Sequence, residues 1–169
     1  MIVGLSGKMR AGKSVTAKAL AEKHGFVNLS FATYLKEDVV AMGFDPEDVY
    51  HRKPPWMRAL LQSYGQARRA QDPDYWLKKL EASVAMCKPT TIFIVDDVRF
   101  PNEATYIEQM GTLIRLERDG YNNVDTDLSE TALDDWPFDH TVYSEEGPEG
   151  VIDLILHTED ILWADGVIE

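Results

Sequence analysis

The segment Gly7-Lys8-Met9-Arg10-Ala11-Gly12-Lys13-Ser14 fits the pattern GxxxxGKS and closely follows the short apolar run 2–5. A strand that leads into such a loop, with a helix after it, is the context in which this pattern binds phosphates. Gly7 and Gly12 let the backbone curl so that its N–H groups face the phosphates, while Lys13 reaches the outer phosphates. The Ser14 hydroxyl can bind Mg²⁺, and the positive end of the helix favours an anion. We therefore predict a nucleoside triphosphate site formed by Gly7, Lys8, Ala11, Gly12, Lys13, Ser14 and Val15.

The composition is that of a single globular domain. The chain has 169 residues, of which 44% are hydrophobic, and this length suffices for one substantial core. No apolar run approaches the roughly 20 residues of a membrane span, and no basic region followed by a long apolar stretch is present near the start. The single cysteine, Cys87, cannot form an internal disulfide, which agrees with a reducing compartment. We expect a cytoplasmic protein without a membrane partner, with one domain over residues 1–169.

Charge is distributed unevenly along the chain. All 17 Lys and Arg residues lie within residues 1–118 together with 14 acids, whereas residues 119–169 contain 15 acids and neither Lys nor Arg. The first part can attract a small anion, while the acidic second part repels a polynucleotide. The net charge of −12 therefore argues against a nucleic-acid partner, and the acidic section is also typical of a solvated surface.

Short apolar runs alternate with segments of helical periodicity. The clearest strand is Thr91-Ile92-Phe93-Ile94-Val95, a β-rich run of the kind that is buried on both faces of a parallel sheet. The alternation predicts an α/β fold with a doubly wound parallel sheet, in which ligands bind beyond the carboxyl ends of the strands. The other predicted strands are 2–5, 26–31, 112–117 and about 141–143, and the predicted helices are 13–24, 32–42, 56–69, 75–87, 101–110 and 150–163.

Cations are concentrated between the phosphate loop and the fourth predicted strand. If the acceptor of a phosphoryl group is itself a phosphate, it is mostly dianionic near neutral pH, so positive charge is needed rather than a general base. Arg99 is the strongest candidate, because it lies shortly after a buried strand and beside acids. Each of the others is also compatible with a solvated surface; they are Lys36, Arg52, Lys53, Arg58, Arg68 and Arg69.

Two adjacent acids, Asp96 and Asp97, end the strand that is expected to lie next to the phosphate loop. An acid at this position often binds Mg²⁺. We predict Asp97 as the metal ligand together with Ser14, because Val95 is expected to face the core and Asp96 to cap or pair. The four histidines are scattered, and no CxxC or HExxH spacing indicates a transition-metal site. Four aromatic residues either pack in the core or stack on a base, namely Trp56, Tyr64, Tyr75 and Trp76.

Beyond the loop, the chain resembles the deoxynucleoside monophosphate kinases of DNA bacteriophages, a branch of the P-loop nucleotide kinases. Five segments carry the resemblance in order over most of the chain, and DDVRFPNEA at 96–104 is the most specific. The others are 7–14, 29–37, 61–65 with 68–76, and 128–134. The resemblance implies a five-stranded sheet and transfer of the γ-phosphoryl group of ATP, with Mg²⁺, to a deoxynucleoside 5′-monophosphate for DNA precursor supply.

The resemblance also implies which segments form the acceptor-binding region and the lid, and which residues bind the substrates. The acceptor-binding region corresponds to about 45–75 and the lid to about 118–136, while Asp97 and Arg99 correspond to the acid and the arginine that serve the metal and the acceptor phosphate. The implied substrate-binding residues are Lys36, Arg68, Arg69, Trp76, Asp97, Arg99 and Glu130.

Two departures from the family pattern affect these expectations. Many members have Asp after the loop lysine where this chain has Ser14, which favours the metal role of Ser14. The lid has no Lys or Arg after Arg118, so we expect Arg118 and Arg10 to supply its cations. The expected catalytic residues are therefore Lys13, Arg99, Arg118 and Arg10.

Other functions stay open on the sequence alone. The chain is also compatible with a P-loop kinase of another small metabolite, such as phosphomevalonate or dephospho-coenzyme A. A GTP-dependent switch is disfavoured because the chain lacks DxxG after the third strand and NKxD. A P-loop fold kept only for binding or assembly is disfavoured because Lys13, Ser14, Asp97 and Arg99 are all present. The sequence alone leaves four points open. These are which bases are accepted, whether ribonucleotides are excluded, what Ser129 and Glu130 contribute, and whether the protein forms a homodimer. If the protein is phage-encoded, its location is the host cytoplasm.

Overall fold

The computed structural model describes residues 1–120 and 127–168, and the chain divides into two compact units. The first unit comprises Met1–Leu29 and Lys88–Glu169, and the second comprises Ser30–Cys87. The phosphate loop belongs to the first unit, and the predicted acceptor-binding segment 45–75 belongs to the second. Part of the predicted lid, residues 121–126, lies outside the described residues.

The first unit is built on a five-stranded parallel sheet, which confirms the predicted fold class. The strands are β1 (Ile2–Ser6), β2 (Val27–Leu29), β3 (Phe93–Val95), β4 (Gly111–Arg118) and β5 (His140–Ser144). They lie in the order β2-β3-β1-β4-β5, and every neighbouring pair is parallel. Gly4 in the central strand pairs with Val95 on one side and Leu113 on the other. The carboxyl ends of β1 and β3 therefore lie side by side, and the phosphate loop leaves the sheet next to Asp96.

The helices of the described residues complete the two units. They are α1 (Lys13–His24), α2 (Phe31–Ala41), α3 (Pro55–Gln71), α4 (Tyr75–Ala85), α5 (Pro101–Met110), α6 (Leu128–Thr131) and α7 (Pro148–Ala164). In the first unit, α1 packs on α7, while α5 packs on β1 and β4. Apolar side chains from these elements, among them Leu5, Leu20, Ile114 and Leu154, are fully buried in one core. Burial of this apolar surface is the main force that holds the helices on the sheet.

The second unit is helical and has its own smaller core. Val39 of α2 and Met57 of α3 pack with Val49, and all three side chains are buried. Val49 lies in a π-helical turn, Asp48–Arg52, between two of the predicted helices. Pro55 occupies the first turn of α3, where its missing N–H leaves no hydrogen bond unmade.

The element boundaries differ from the predicted ones mainly at the ends. The third strand is Phe93–Val95 rather than 91–95, and the last helix begins at Pro148 rather than Gly150. The predicted lid, about 118–136, contains the short helix α6. Over residues 1–120 and 127–168, no helix has both the length and the apolar character that crossing a membrane requires.

Candidate active site

The phosphate loop depends on glycine at both of its ends. Gly7 has φ 135°, and a Cβ atom there would lie 2.2 Å from the carbonyl oxygen of Leu116 in β4. Gly12 has φ 100° and directly precedes α1. Because φ values in this range are unfavourable for residues with a side chain, glycine lets the backbone approach β4 and turn into the helix. Arg10, at φ 67°, is a non-glycine residue in the left-handed region, and its side chain is exposed.

Lys13 folds back over the loop rather than pointing to solvent. Its residue is only 7% exposed, and its Nζ atom donates hydrogen bonds to the carbonyl oxygens of Gly7 and Lys8, both at 2.7 Å. Burial, followed by the positive charge of Arg99, lowers the pKa of Lys13 to about 8. The Lys13 charge is therefore held at the mouth of the loop, where the outer phosphates of a bound nucleotide would be.

The structure places the Ser14 side chain beside Asp96, the first of the two adjacent acids. The Ser14 hydroxyl hydrogen-bonds the carboxyl group of Asp96, whose residue is 9% exposed. Among the described residues, Asp96 Oδ1 has no hydrogen-bond partner. Burial, with the neighbouring Asp97 charge, raises the pKa of Asp96. A hydroxyl and a carboxylate oxygen are the ligands with which P-loop enzymes hold Mg²⁺, so Ser14 and Asp96 fit that ion.

Asp97, the acid that the sequence analysis assigned to the metal, is half-buried and lies near enough to Lys13 to favour its charged form. In the structure, therefore, Asp96 contacts Ser14, and Asp97 belongs to the same group of charged residues around Lys13. The metal role of Asp97 stays a prediction, and the contact of Ser14 with the neighbouring acid has a physical reason. Val95 is fully buried and Asp96 nearly so, so the alternation of inward and outward side chains does not separate the two acids at this strand end.

Arg99 is positioned by a buried glutamate. Glu103, in the first turn of α5, is 2% exposed, and its carboxylate accepts hydrogen bonds from the backbone N–H groups of Arg99 at 2.9 Å and Phe100 at 3.1 Å. This contact fixes the turn that follows β3, as a glutamate at this helix position commonly does. The Arg99 guanidinium then contacts the Glu130 carboxylate. The sequence analysis did not assign Glu103, although its place within 96–104 and just after Pro101 was a signal.

The residues around α6 dock directly on the phosphate loop. Glu130, with a side chain 7% exposed, accepts a hydrogen bond at 2.8 Å from the Met9 backbone N–H. Lys8 Nζ donates to the carbonyl oxygen of Glu130 at 2.7 Å and pairs with Asp134 at 2.5 Å. Glu130 therefore joins the loop and Arg99, and it is part of the candidate site. Lys8, predicted to bind the nucleotide, is engaged by the segment 128–134 in this structure.

A cation that sequence reasoning missed lies beside this segment. The Arg115 side chain, 11% exposed, pairs with Glu117 at 2.7 Å and donates to the carbonyl oxygen of Leu133 at 3.0 Å. With Ser6, Gly7, Arg99 and Glu130, it lines a small cleft next to the loop. Arg115 lies inside the predicted fourth strand. Its separation from Glu117 by two positions, which puts both on one face of a strand, was the only available signal.

Arg118 makes contacts that differ from those expected of a lid cation. Its guanidinium donates to the carbonyl oxygens of Gly147 and, at 3.4 Å, Glu145. Both acceptors belong to the loop that leads into α7. In this structure Arg118 thus holds that loop, whereas Arg10 is exposed on the phosphate loop. The catalytic roles that the sequence analysis assigned to both arginines stay predictions.

In the second unit, the predicted acceptor residues have different environments. The Arg68 guanidinium lies over the rings of Tyr64 and Tyr75, with its central carbon 5.2 and 4.9 Å from the two centroids. Lys36 Nζ lies 5.8 Å from the centroid of the Tyr50 ring. Arg69 is half-buried in the last turn of α3.

Trp76, which the resemblance implies as a substrate-binding residue, lies in the core. It is 2% exposed, and its indole N–H donates to the carbonyl oxygen of Gly65 at 3.3 Å. Tyr64 and Tyr75 contact it edge-on, with ring centroids 6.1 and 4.8 Å away. Trp76 therefore fills the core of the second unit, where the edges of two tyrosine rings pack against it.

The comparisons with known proteins agree with a kinase fold. No protein-family model matches the chain. It is 28% identical over 158 residues to a protein of Acanthamoeba polyphaga mimivirus described as a "Putative deoxynucleotide monophosphate kinase", and the match covers 79% of this chain and 82% of the viral one.

Two groups of solved structures share the fold. Dephospho-CoA kinase from Campylobacter jejuni matches with a TM-score of 0.57 and 13% identity, covering 95% of this chain and 96% of that one. Shikimate kinase from Aquifex aeolicus matches with a TM-score of 0.51 and 15% identity, covering 96% and 99%. The chain therefore has the fold of the P-loop kinases, and its viral relative supports kinase activity.

Proposed function

We propose that the protein is an ATP-dependent kinase that transfers the γ-phosphoryl group to a deoxynucleoside 5′-monophosphate. The observation that carries this proposal is the charged cluster at the carboxyl ends of β1 and β3, where Lys13 and Arg99 meet beside the Ser14–Asp96 pair. The mimivirus relative supports the choice of acceptor. This activity would supply diphosphates for DNA synthesis.

The chemistry asks for charge neutralisation and alignment. A phosphate acceptor is already mostly dianionic near neutral pH and needs no general base. Lys13 would neutralise the charge of the transferring phosphoryl group. Arg99 would hold the acceptor phosphate, because a planar guanidinium can donate hydrogen bonds to two phosphate oxygens at once. Mg²⁺, held by Ser14 and Asp96, would supply charge neutralisation on the nucleotide oxygens. In the second unit, Arg68 would bind the acceptor.

The decisive experiment is an acceptor panel with purified protein, ATP and Mg²⁺, followed by ADP release. The panel contains dAMP, dGMP, dCMP and dTMP, their ribonucleotide forms, and dephospho-coenzyme A, phosphomevalonate and shikimate. We expect release with at least one deoxynucleoside monophosphate and none with the last three compounds. The Lys13→Met variant should lose activity by about 100-fold or more, and Lys18→Met, which removes an exposed lysine of the same helix, serves as the matched control. Preferential use of a non-nucleotide acceptor would overturn the proposal.

A further inference from the structure

A single carboxylate connects three helices of the second unit. Asp38 of α2 has a side chain 16% exposed. It accepts hydrogen bonds from the hydroxyl groups of Tyr64 at 3.2 Å and Tyr75 at 2.8 Å, and from Lys79 Nζ at 2.6 Å. Its pKa lies below the ordinary value, because the hydrogen bonds from Lys79 and Tyr75 outweigh the opposing effect of burial. Asp38 is therefore a charged and well-satisfied group that the sequence analysis did not single out.

The same tyrosines hold Arg68. Arg68 Nε donates to the Tyr64 hydroxyl oxygen at 2.8 Å, and the guanidinium lies over both tyrosine rings. A tyrosine hydroxyl has one proton to donate and lone pairs to accept. Because the Tyr64 proton is directed to Asp38, its lone pairs are left to receive the Arg68 N–H. The orientation of Arg68 therefore depends on Asp38 through Tyr64.

The charges of this cluster do not cancel. Asp38 and Lys79 form a direct ion pair at 2.6 Å, which leaves the Arg68 charge in excess. Arg68 contacts the tyrosines through its Nε atom and the face of its guanidinium, while its terminal nitrogen Nη1 lies 3.5 Å from the side-chain oxygen of Gln71. A guanidinium that is held in this way is suited to bind the oxygens of a phosphate.

We propose that Asp38 is a positioning residue that fixes Tyr64, and through it the Arg68 guanidinium, in the orientation that binds the phosphate of the acceptor. Asp38 itself does not touch the acceptor. The inference rests on the proposed function, since it takes the acceptor to be a nucleoside monophosphate.

Two tyrosine variants test the inference. Tyr64→Phe removes the hydroxyl that joins Asp38 to Arg68, whereas Tyr75→Phe removes another hydrogen bond to Asp38 and leaves that link intact. With the deoxynucleoside monophosphate that gives the fastest ADP release, we expect Tyr64→Phe to raise the acceptor KM about tenfold. Tyr75→Phe should stay within about twofold, and the KM for ATP should not change in either variant. Equal effects of the two variants on acceptor KM would show a merely structural network and overturn the inference.

A double-mutant cycle examines the dependence on Arg68. Asp38→Asn should raise the acceptor KM about tenfold in the wild-type background and should have no further effect in Arg68→Ala, because the group that it positions is gone. A full additional effect in Arg68→Ala would contradict the positioning role. Failure of the proposed function is distinguishable, because the unmodified protein would then phosphorylate no nucleoside monophosphate, and the inference would fall with it.

Discussion

At the residue scale, the site depends on which of two neighbouring acids faces the phosphate loop. Asp96 contacts the Ser14 hydroxyl, has one oxygen without a partner among the described residues, and is nearly buried. Asp97 acts on the same cluster through its charge near Lys13. Two adjacent residues thus differ in their surroundings: Asp96 fits a metal ligand, whereas the charge of Asp97 favours the protonated form of Lys13.

We expect Asp96→Asn to raise the Mg²⁺ concentration that gives half-maximal activity by about tenfold or more, since an amide oxygen binds this cation more weakly than a carboxylate. Asp97→Asn should change this concentration by less than about threefold. The measurement is a Mg²⁺ titration of ADP release at saturating ATP and acceptor. The reverse order of the two effects would return the metal role to Asp97.

At the element scale, the Glu130 carboxylate makes two of the contacts that hold the segment 127–135 beside the phosphate loop. Glu130→Ala removes the acceptor of the Met9 N–H and the partner of Arg99. Hydrogen bonds to charged groups contribute about 1.5–3 kcal/mol, so we expect hydrogen exchange over this segment to become roughly tenfold faster or more. Asp135→Ala, at an exposed neighbouring position, is the control. Unchanged exchange in Glu130→Ala would mean that Lys8 and Arg115 hold the segment alone.

The contact between α1 and α7 gives a pH-dependent contribution to stability. Glu159 of α7, with a side chain 9% exposed, pairs with Lys23 at 2.7 Å and His24 at 2.6 Å. The Lys23 hydrogen bond, followed by that of His24, holds the pKa of Glu159 below its ordinary value of 4.5 against the effect of burial. The carboxylate therefore stabilises the fold fully above pH 4.5, and this stabilisation is lost as the pH falls through the lower native pKa.

Glu159→Gln should accordingly lower the free energy of unfolding near neutral pH by about 1–3 kcal/mol, and the difference from the wild type should shrink in acid. Urea unfolding at a series of pH values measures it. Asp160→Asn, at an exposed adjacent position, should show neither effect. A difference for Glu159→Gln that is independent of pH would contradict this account.

At the scale of the whole molecule, charge decides the class of partner. Residues 119–169 contain 15 acids and neither Lys nor Arg, and the net charge is −12. A small anion needs only a few cations near its binding site, whereas a polynucleotide interacts with the electrostatic field of a much larger surface. We expect no binding of single- or double-stranded DNA by fluorescence anisotropy, even at a low salt concentration of about 50 mM. Salt-dependent binding of either would show a basic surface that these charges do not reveal.

The sequence by itself determined the features that are encoded locally. The phosphate loop follows from residues 7–14, because glycine is required where the backbone adopts φ 135° and 100°. The parallel sheet follows from apolar runs alternating with helical periodicity, and the order of the strands agrees with it. Arg99 was singled out because the end of a buried strand in such a sheet is where ligands bind.

Only the tertiary structure decided which side chains meet. Glu130 reaches Met9 across 121 positions, and Asp38 of α2 binds Tyr64 of α3 and both Tyr75 and Lys79 of α4. Periodicity states which face of an element is buried, but it does not state which element covers that face or how the two are registered. For the same reason, the choice of Asp96 over Asp97 beside Ser14 and the burial of Trp76 followed from packing rather than from local pattern.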